Sequence, residues 1–469
     1  MKVKVFGVLL LAVLLGGLAI SVSAQDMPSP QVNVASDMLI MNGAVDIGSV
    51  YSEGPGFVVI HRTSDGGVVG VSAPLAAGWT NNVRIPVDVT MAEAQMSAML
   101  HVDDNTVGTY EFGTVEGADG PVRVGEQIVN PIFNAHVLTA SDQRLTDNTV
   151  VIDSVTMPEG GWVVIHSGDA SSFGGVLGQT LVPAGTTTNV AVELSGDVTT
   201  VLWPMLHVDT GEVGTYEFGS VEGADTPVVV NGQVASIPLW TVNHLRVKDQ
   251  VLLNSDGTTS MEGQTPRVHV DSVLSEGPGI VVIHANDNGN AGAILGAFFV
   301  EDGVTKNFDI DLDTAAGITP VVWPMLHIDA GTVGTYDGLD VDTVASANGE
   351  AVTFTSNIAP ALVMSDQAAV DGTITITNAL MDGPGWLALH SDNEGRPGPV
   401  VATAQLHPGA NWNVKVTLPE GTAAGMVFFP MLHVDTGEVG VYEFGSVEGA
   451  DTPVSVGGNV VVGPLTVTE

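Results

Sequence analysis

Apolar residues along this chain come in short runs of four to six, rich in Val and Ile and broken by Gly, Pro, Asn and Asp. Runs of that length at about 8–12-residue spacing predict strands of a sandwich or barrel. In the second quarter the strands are expected at 135–140, 149–154, 162–166, 176–181, 188–194, 200–208, 214–218 and 227–230, with a last short piece near 234–239. Beyond an N-terminal apolar run, no stretch keeps a helical period for three turns, and only 91–99 tolerates a helix. The expected class is all-β, with eight or nine short strands per unit in an immunoglobulin-like Greek-key sandwich.

The unit recurs. Met99-Leu100-His101-Val102-Asp103 returns as Met205-Leu206-His207-Val208-Asp209, Met325-Leu326-His327-Ile328-Asp329 and Met431-Leu432-His433-Val434-Asp435. Each copy runs on to Val-Gly-x-Tyr at Tyr110, Tyr216, Tyr336 and Tyr442. His207 follows His101 by 106 residues, His327 follows His207 by 120, and His433 follows His327 by 106. That period exceeds a solenoid repeat of about 20–50 residues and suits a small independent domain. Four tandem domains are expected at 25–133, 134–240, 241–357 and 358–469, joined without Pro- or Ser-rich linkers. The third carries the largest insertion, expected as a polar loop at 254–265.

Residues 1–24 read as a signal peptide: Lys2 and Lys4, an apolar run from Val8 to Ile20, then Val22-Ser23-Ala24 before the expected cleavage. No second apolar run follows, so a secreted or envelope location without a spanning segment is expected. The chain has no Cys, which excludes disulfide staples, iron–sulfur clusters, blue-copper ligation and thiol catalysis. The formal net charge of −41 comes from scarce base, 12 Lys plus Arg against 53 Asp plus Glu. Such a surface repels nucleic acid and anionic lipid. Enzyme signatures are absent: there is no nucleophile elbow, zinc-protease helix, phosphate loop or dinucleotide fingerprint.

Phe57-Val58-Val59-Ile60-His61 and its copies starting at Trp162, Ile280 and Trp386 are apolar on both faces, as a central strand with a large anchor would be. Val213-Gly214-Thr215-Tyr216-Glu217-Phe218 is similar to the approach to strand F of immunoglobulin domains. There a buried Tyr hydroxyl bonds to upstream backbone.

The series Pro158-Glu159-Gly160-Gly161-Trp162-Val163-Val164-Ile165-His166, Gly175-Val176-Leu177-Gly178, Met205 to Asp209, Gly214-Thr215-Tyr216-Glu217-Phe218 and Ala224-Asp225-Thr226-Pro227 resembles a secreted domain of unknown function. That domain is repeated in surface proteins of halophilic archaea and in some bacterial envelope proteins. The resemblance covers nearly all of the mature chain. It implies an exported β-sandwich and no particular activity. The third repeat departs from it, with Tyr336-Asp337-Gly338-Leu339 and no Glu-Gly-Ala-Asp run.

Eight of the 12 histidines fall at two recurrent positions: His61, His166, His284 and His390, then His101, His207, His327 and His433. With Asp103, Asp209, Asp329 and Asp435, or the neighbouring Met, they form a candidate metal set. Zinc would suit His and Asp, and copper His and Met. Two imidazoles leave a closed zinc site unfinished, so the preferred reading is buried polar packing and no cofactor. For metal, the two histidines of a repeat must converge to roughly 3–4 Å. A calcium loop from Asp209 places Gly214 and Glu217 suitably but has Ser220 where the bidentate Glu belongs. The Glu-Gly-Ala-Asp runs read as solvated turns rather than acidic contact patches. The expected function is an exported, non-enzymatic structural or interaction protein with a protein or envelope-polymer partner. The alternative is an extracellular metal binder.

Overall fold

The computed structural model describes residues 28–41, 43–260 and 263–469. The expected signal peptide lies outside the described residues. Among these, the architecture is strands and turns, with one 3-10 turn at Thr314–Ala316. The helix-tolerant 91–99 segment feeds directly into the strand Gln95–Val102. No described helix is long and apolar enough to cross a membrane.

The second repeat gives the plan. Its first strand, Ile132–Thr139, pairs antiparallel with Thr149–Met157, which pairs with Gly185–Glu193. The other sheet runs Phe173–Val182, Gly161–Gly168, Val201–His207, Leu239–Trp240. The chain changes sheet after its second, fourth and fifth strands. The fourth strand joins the third, where a constant-type immunoglobulin domain would place it beside the fifth. Repeats 3 and 4 keep the plan, as Arg267–Ser275 with Gly303–Asp311, and Thr373–Met381 with Gly409–Thr417.

Alternation builds the core. Val150, Ile152, Val155 and Met157 from one sheet meet Val163, Ile165, Leu202 and Leu206 from the other. One expectation fails here and another is met in part. Residues 214–218 are not a strand but part of a turn-rich connection, because Gly214 sits at φ 81 and donates its N–H to Asp209. Residues 227–230 contribute Val229–Val230 of a two-residue hairpin with Gln233–Val234, and Pro227 bridges His207 while Val228 N donates to the Leu206 carbonyl. The expected last piece near 234–239 is met by Gln233–Val234, a Ser236 bridge to Met205 and the strand Leu239–Trp240. The extra loop of the third repeat is a turn closed by a Leu253–Thr259 bridge.

The repeats are joined through strands. Ile132–Thr139 pairs at its start with Gln95–Val102 of repeat 1 and at its end with Thr149–Met157 of repeat 2. At the later joints the last strand of one repeat precedes the first of the next by a few residues: Leu239–Trp240 then His244–Arg246, and Ser356–Asn357 then Ala361–Val363. An aspartate marks each of these two later joints. Asp142 accepts from Trp240 N at 2.9 Å in its own repeat, and from His244 Nδ1 at 2.6 Å and Arg246 Nη2 at 2.6 Å in the next. Asp249 likewise accepts from Asn357 N (2.7 Å) and from Asn378 Nδ2 (3.0 Å) of repeat 4. Burial alone would raise the Asp142 carboxyl. The bonds from Arg246 and His244 outweigh it and hold the group well below the usual carboxylate range.

Candidate functional site

The strand that carries the first histidine of each repeat is buried on both faces. In repeat 2 the inward residues are Val163 and Ile165, so Trp162, Val164 and His166 point out of the sandwich. An outward face is normally solvated. Here the connection after His207 folds back over it and makes a second, smaller interior. Tyr216 packs edge-on to Trp162 with ring centroids 5.2 Å apart, and Phe218 stands edge-on to His207 at 4.8 Å.

Acidic residues shape this cover by accepting backbone N–H groups. Asp225 is fully buried. Its carboxylate accepts from Thr210 N (2.8 Å) and Glu217 N (2.6 Å), and its own N–H donates to Thr210 Oγ1 (2.9 Å). Asp119 and Asp451 repeat the arrangement. Repeat 3 has no Glu-Gly-Ala-Asp run, yet Asp342 accepts from Ala330 N and Gly331 N and does the same work. The aspartate of that run is thus an internal brace, neither a solvated turn residue nor an outward patch.

The paired histidines lie beneath the cover. His166 faces Trp203 and His207 faces Trp162 in register, with the Val164–Met205 pair between them. The rings lean toward each other over that pair. Centroid separations are 5.7 Å for His61–His101, 5.7 Å for His166–His207, 5.8 Å for His284–His327 and 5.6 Å for His390–His433. A β-bulge at the first histidine recurs in all four repeats, the kind of irregularity that re-aims a side chain.

Every ring is anchored through Nδ1. The first-position rings bond the carbonyls of Gly66 (2.8 Å), Gly174 (2.9 Å), Gly292 (3.0 Å) and Gly398 (2.6 Å). The second-position rings bond those of Asp119 (2.7 Å), Asp225 (2.6 Å), Asp342 (2.9 Å) and Asp451 (2.6 Å). A carbonyl only accepts, so Nδ1 carries the hydrogen and Nε2 of the neutral ring holds a lone pair. Burial favours the neutral ring. It pushes the imidazole of His207 down to about 4 and lowers His101, His327 and His433 as well. In repeat 4 the two Nε2 atoms are 3.4 Å apart. In the other three repeats all six Nε2 atoms are buried without a hydrogen-bond partner.

The aspartates of the candidate set do not join them. Asp103, Asp209, Asp329 and Asp435 accept the N–H of Gly108, Gly214, Gly334 and Gly440. No cluster of three or more His, Cys, Asp or Glu with metal-binding geometry occurs among the described residues. The calcium loop is likewise committed elsewhere, since Glu217 accepts Glu212 N.

The tyrosines also differ from expectation. Tyr110, Tyr216, Tyr336 and Tyr442 are half-buried on the covering connection, not at a strand start. The Tyr110 and Tyr216 hydroxyls are buried without a partner, and Tyr442 Oη lies 3.4 Å from His433 Nδ1. Burial pushes the Tyr110, Tyr216 and Tyr442 phenols up to about 12.

A sandwich repeated four times, each copy with a covered outer face, defines a tandem all-β repeat protein. The chain belongs to the family described as "Domain of unknown function (DUF7282)", which matches residues 30–133, 136–238, 255–359 and 360–468. It is 30% identical over 161 residues to "Cell surface glycoprotein 1" of Haloarcula hispanica, a match spanning 33% of this chain and 17% of that protein. Among solved structures it is similar to the BSP domain of a biofilm associated protein (11% identity, 95% of this chain and 99% of that one, TM-score 0.19). It is also similar to the D1–D4 ectodomain fragment of ICAM-5 (9% identity, 94% and 98%, TM-score 0.15). Superpositions this loose carry no argument about the chain.

Proposed function

We propose that the chain is a non-enzymatic structural array of the cell surface or extracellular matrix, exported by its leader. Its four sandwiches would be offered to a protein or envelope-polymer partner. The observation that carries this reading is the construction of the joints. A strand shared by repeats 1 and 2, and the Asp142 and Asp249 carboxylates bonded across the later joints, tie neighbouring sandwiches together. An array that positions material at a distance needs such joints. The Haloarcula relative is named for the cell surface, and the charge of −41 disfavours nucleic acid and anionic lipid as partners. The test is protease shaving of intact source cells followed by peptide mass spectrometry. Peptides from all four repeats are expected in the shaved fraction. Recovery only after lysis would refute the surface assignment. A metal-binding function is favoured by one specific observation, the converged imidazoles, which support a separate inference.

A further inference from the structure

We infer that each repeat holds one monovalent soft cation, copper(I), between the two facing Nε2 atoms of its histidine pair. Three features point there. First, Nδ1 is spent on a carbonyl in all eight rings, so the free lone pair of each ring is on Nε2. In repeat 4 the two Nε2 atoms face each other at 3.4 Å, and the ring separations of the other pairs match within 0.2 Å. Two facing lone pairs repel unless something positive lies between them. Second, the rings are held this way by construction, through a bulge at one histidine and a buried aspartate segment over the other. Third, no polar group answers the Nε2 atoms. Six are buried without a partner, and the remaining two have only each other, at 3.4 Å.

Ligand number and charge select the ion. Two nitrogens bound to one metal at about 2.0–2.1 Å lie at most about 4 Å apart, so 3.4 Å is within one ion's reach. Zinc completes four ligands, and no third His, Asp or Glu converges here. A divalent ion would also enter an interior of aromatic rings with two neutral ligands. Solvation energy scales with the square of the charge, so its desolvation costs about four times that of a monovalent ion. A d10 monovalent cation is satisfied by two nitrogen donors, and imidazole suits copper. A proton is the competing occupant. It would make one ring an imidazolium that donates to the other, and would leave no metal for the titration below to count.

The inference is independent of the surface assignment. The test uses the whole mature chain, titrated anaerobically with copper(I) against a coloured copper(I) chelator, and with silver(I) nitrate in chloride-free buffer as an air-stable analogue. Four equivalents are expected. Long-range 1H–15N spectra should show the eight Nε2 resonances shift while Nδ1 stays protonated. His433→Asn and His390→Asn each keep a donor for the carbonyl but remove the lone pair. Each should lower the count to three, with the other three repeats as internal controls for folding. The fourfold variant His101→Asn/His207→Asn/His327→Asn/His433→Asn should bind none. The inference is overturned by uptake below one equivalent in the wild type. It is also overturned by an unchanged count in the fourfold variant, which would mark a methionine site, or by Nε2 shifts with zinc(II) but not with copper(I) or silver(I).

Discussion

Replacing Asp142 by Ala tests whether the joint between repeats 2 and 3 is set by its buried carboxylate. The Asp142 side chain is 1% exposed and receives Trp240 N, His244 Nδ1 and two guanidinium nitrogens of Arg246. Arg246 also lies 4.8 Å over the Trp240 ring, and Trp240 stacks on His244 at 3.8 Å. Breaking a buried pair from one side costs about 3–5 kcal/mol. Arg246 is 30% exposed and can turn to solvent, which argues for the low end, about 3 kcal/mol. A chain of four domains does not melt in two states, so a single melting temperature is the wrong readout. Hydrogen exchange at Trp240 N–H reports the local opening itself. A loss of about 3 kcal/mol should speed it roughly 100-fold.

The same bond predicts a pH dependence. The Asp142 carboxyl is lowered in the folded chain, so its contribution is fully present above the unfolded value of about 4 and is lost as pH falls below it. Protection at Trp240, corrected for intrinsic rates, should hold from pH 7 to about pH 4 and then fall. In Asp142→Ala it should be low and flat throughout. Trp240 exchange within about threefold of wild type in the variant would mean that strand pairing alone fixes the joint.

Tyr216→Phe removes a buried hydroxyl that has no partner, so it should be neutral or stabilising within about 0.5 kcal/mol, read by hydrogen exchange in repeat 2 against the other repeats. A loss of about 1 kcal/mol or more would restore the immunoglobulin-type corner. Gly161→Ala should cost about 2 kcal/mol or more in repeat 2, because its Cβ would stand 2.3 Å from the His207 carbonyl oxygen at φ +146. Exchange in repeat 2, set against the other repeats, measures it. Melting temperatures should rise with sodium chloride, since the chain carries −43 without Lys2 and Lys4. Flat or falling values would mean the charges are too dispersed to matter.

The strands that build the sandwich were legible because their alternation is clean. Thr149–Met157 buries Val150 and Ile152 and exposes the residues between them more, and Gly185–Glu193 does the same with Val190 and Val192. The segment after His207 misled for a physical reason. Val213-Gly214-Thr215-Tyr216-Glu217-Phe218 alternates like a strand, but Asp209 and Asp225 take the N–H groups of Gly214 and Glu217 that a neighbouring strand would need. Side-chain capture of backbone leaves no periodic trace. The aspartates at the joints were invisible for a similar reason. Ser141-Asp142-Gln143, Lys248-Asp249-Gln250 and Ser365-Asp366-Gln367 read as polar loops, yet each Gln amide stands in for backbone by bonding Val151, His269 or Thr375 on the next strand. The recurrence of Asp-Gln at the start of three repeats was the available signal.

The drift among repeats bears on what the covered face is for. If the face served packing alone, its positions should exchange among apolar residues of suitable size, as its neighbours do. The residue opposite the first histidine is Ser97, Trp203, Trp323 or Phe429, and the residue opposite the second is Phe57, Trp162, Ile280 or Trp386. The pair between them is Val59–Met99, Val164–Met205, Val282–Met325 or Ala388–Met431. The cover varies as well, and in repeat 3 its brace moves to Asp342, 15 residues after its histidine where the others stand 18 after theirs. Through these changes both imidazoles stay, both Nδ1 atoms keep a carbonyl, and no Nε2 atom finds a partner other than the facing ring. Packing explains a buried ring at these positions. It does not explain paired imidazoles that keep Nδ1 on a carbonyl and leave Nε2 buried with no partner but the facing ring, because each unpartnered buried nitrogen costs about 1–3 kcal/mol that an apolar side chain would not.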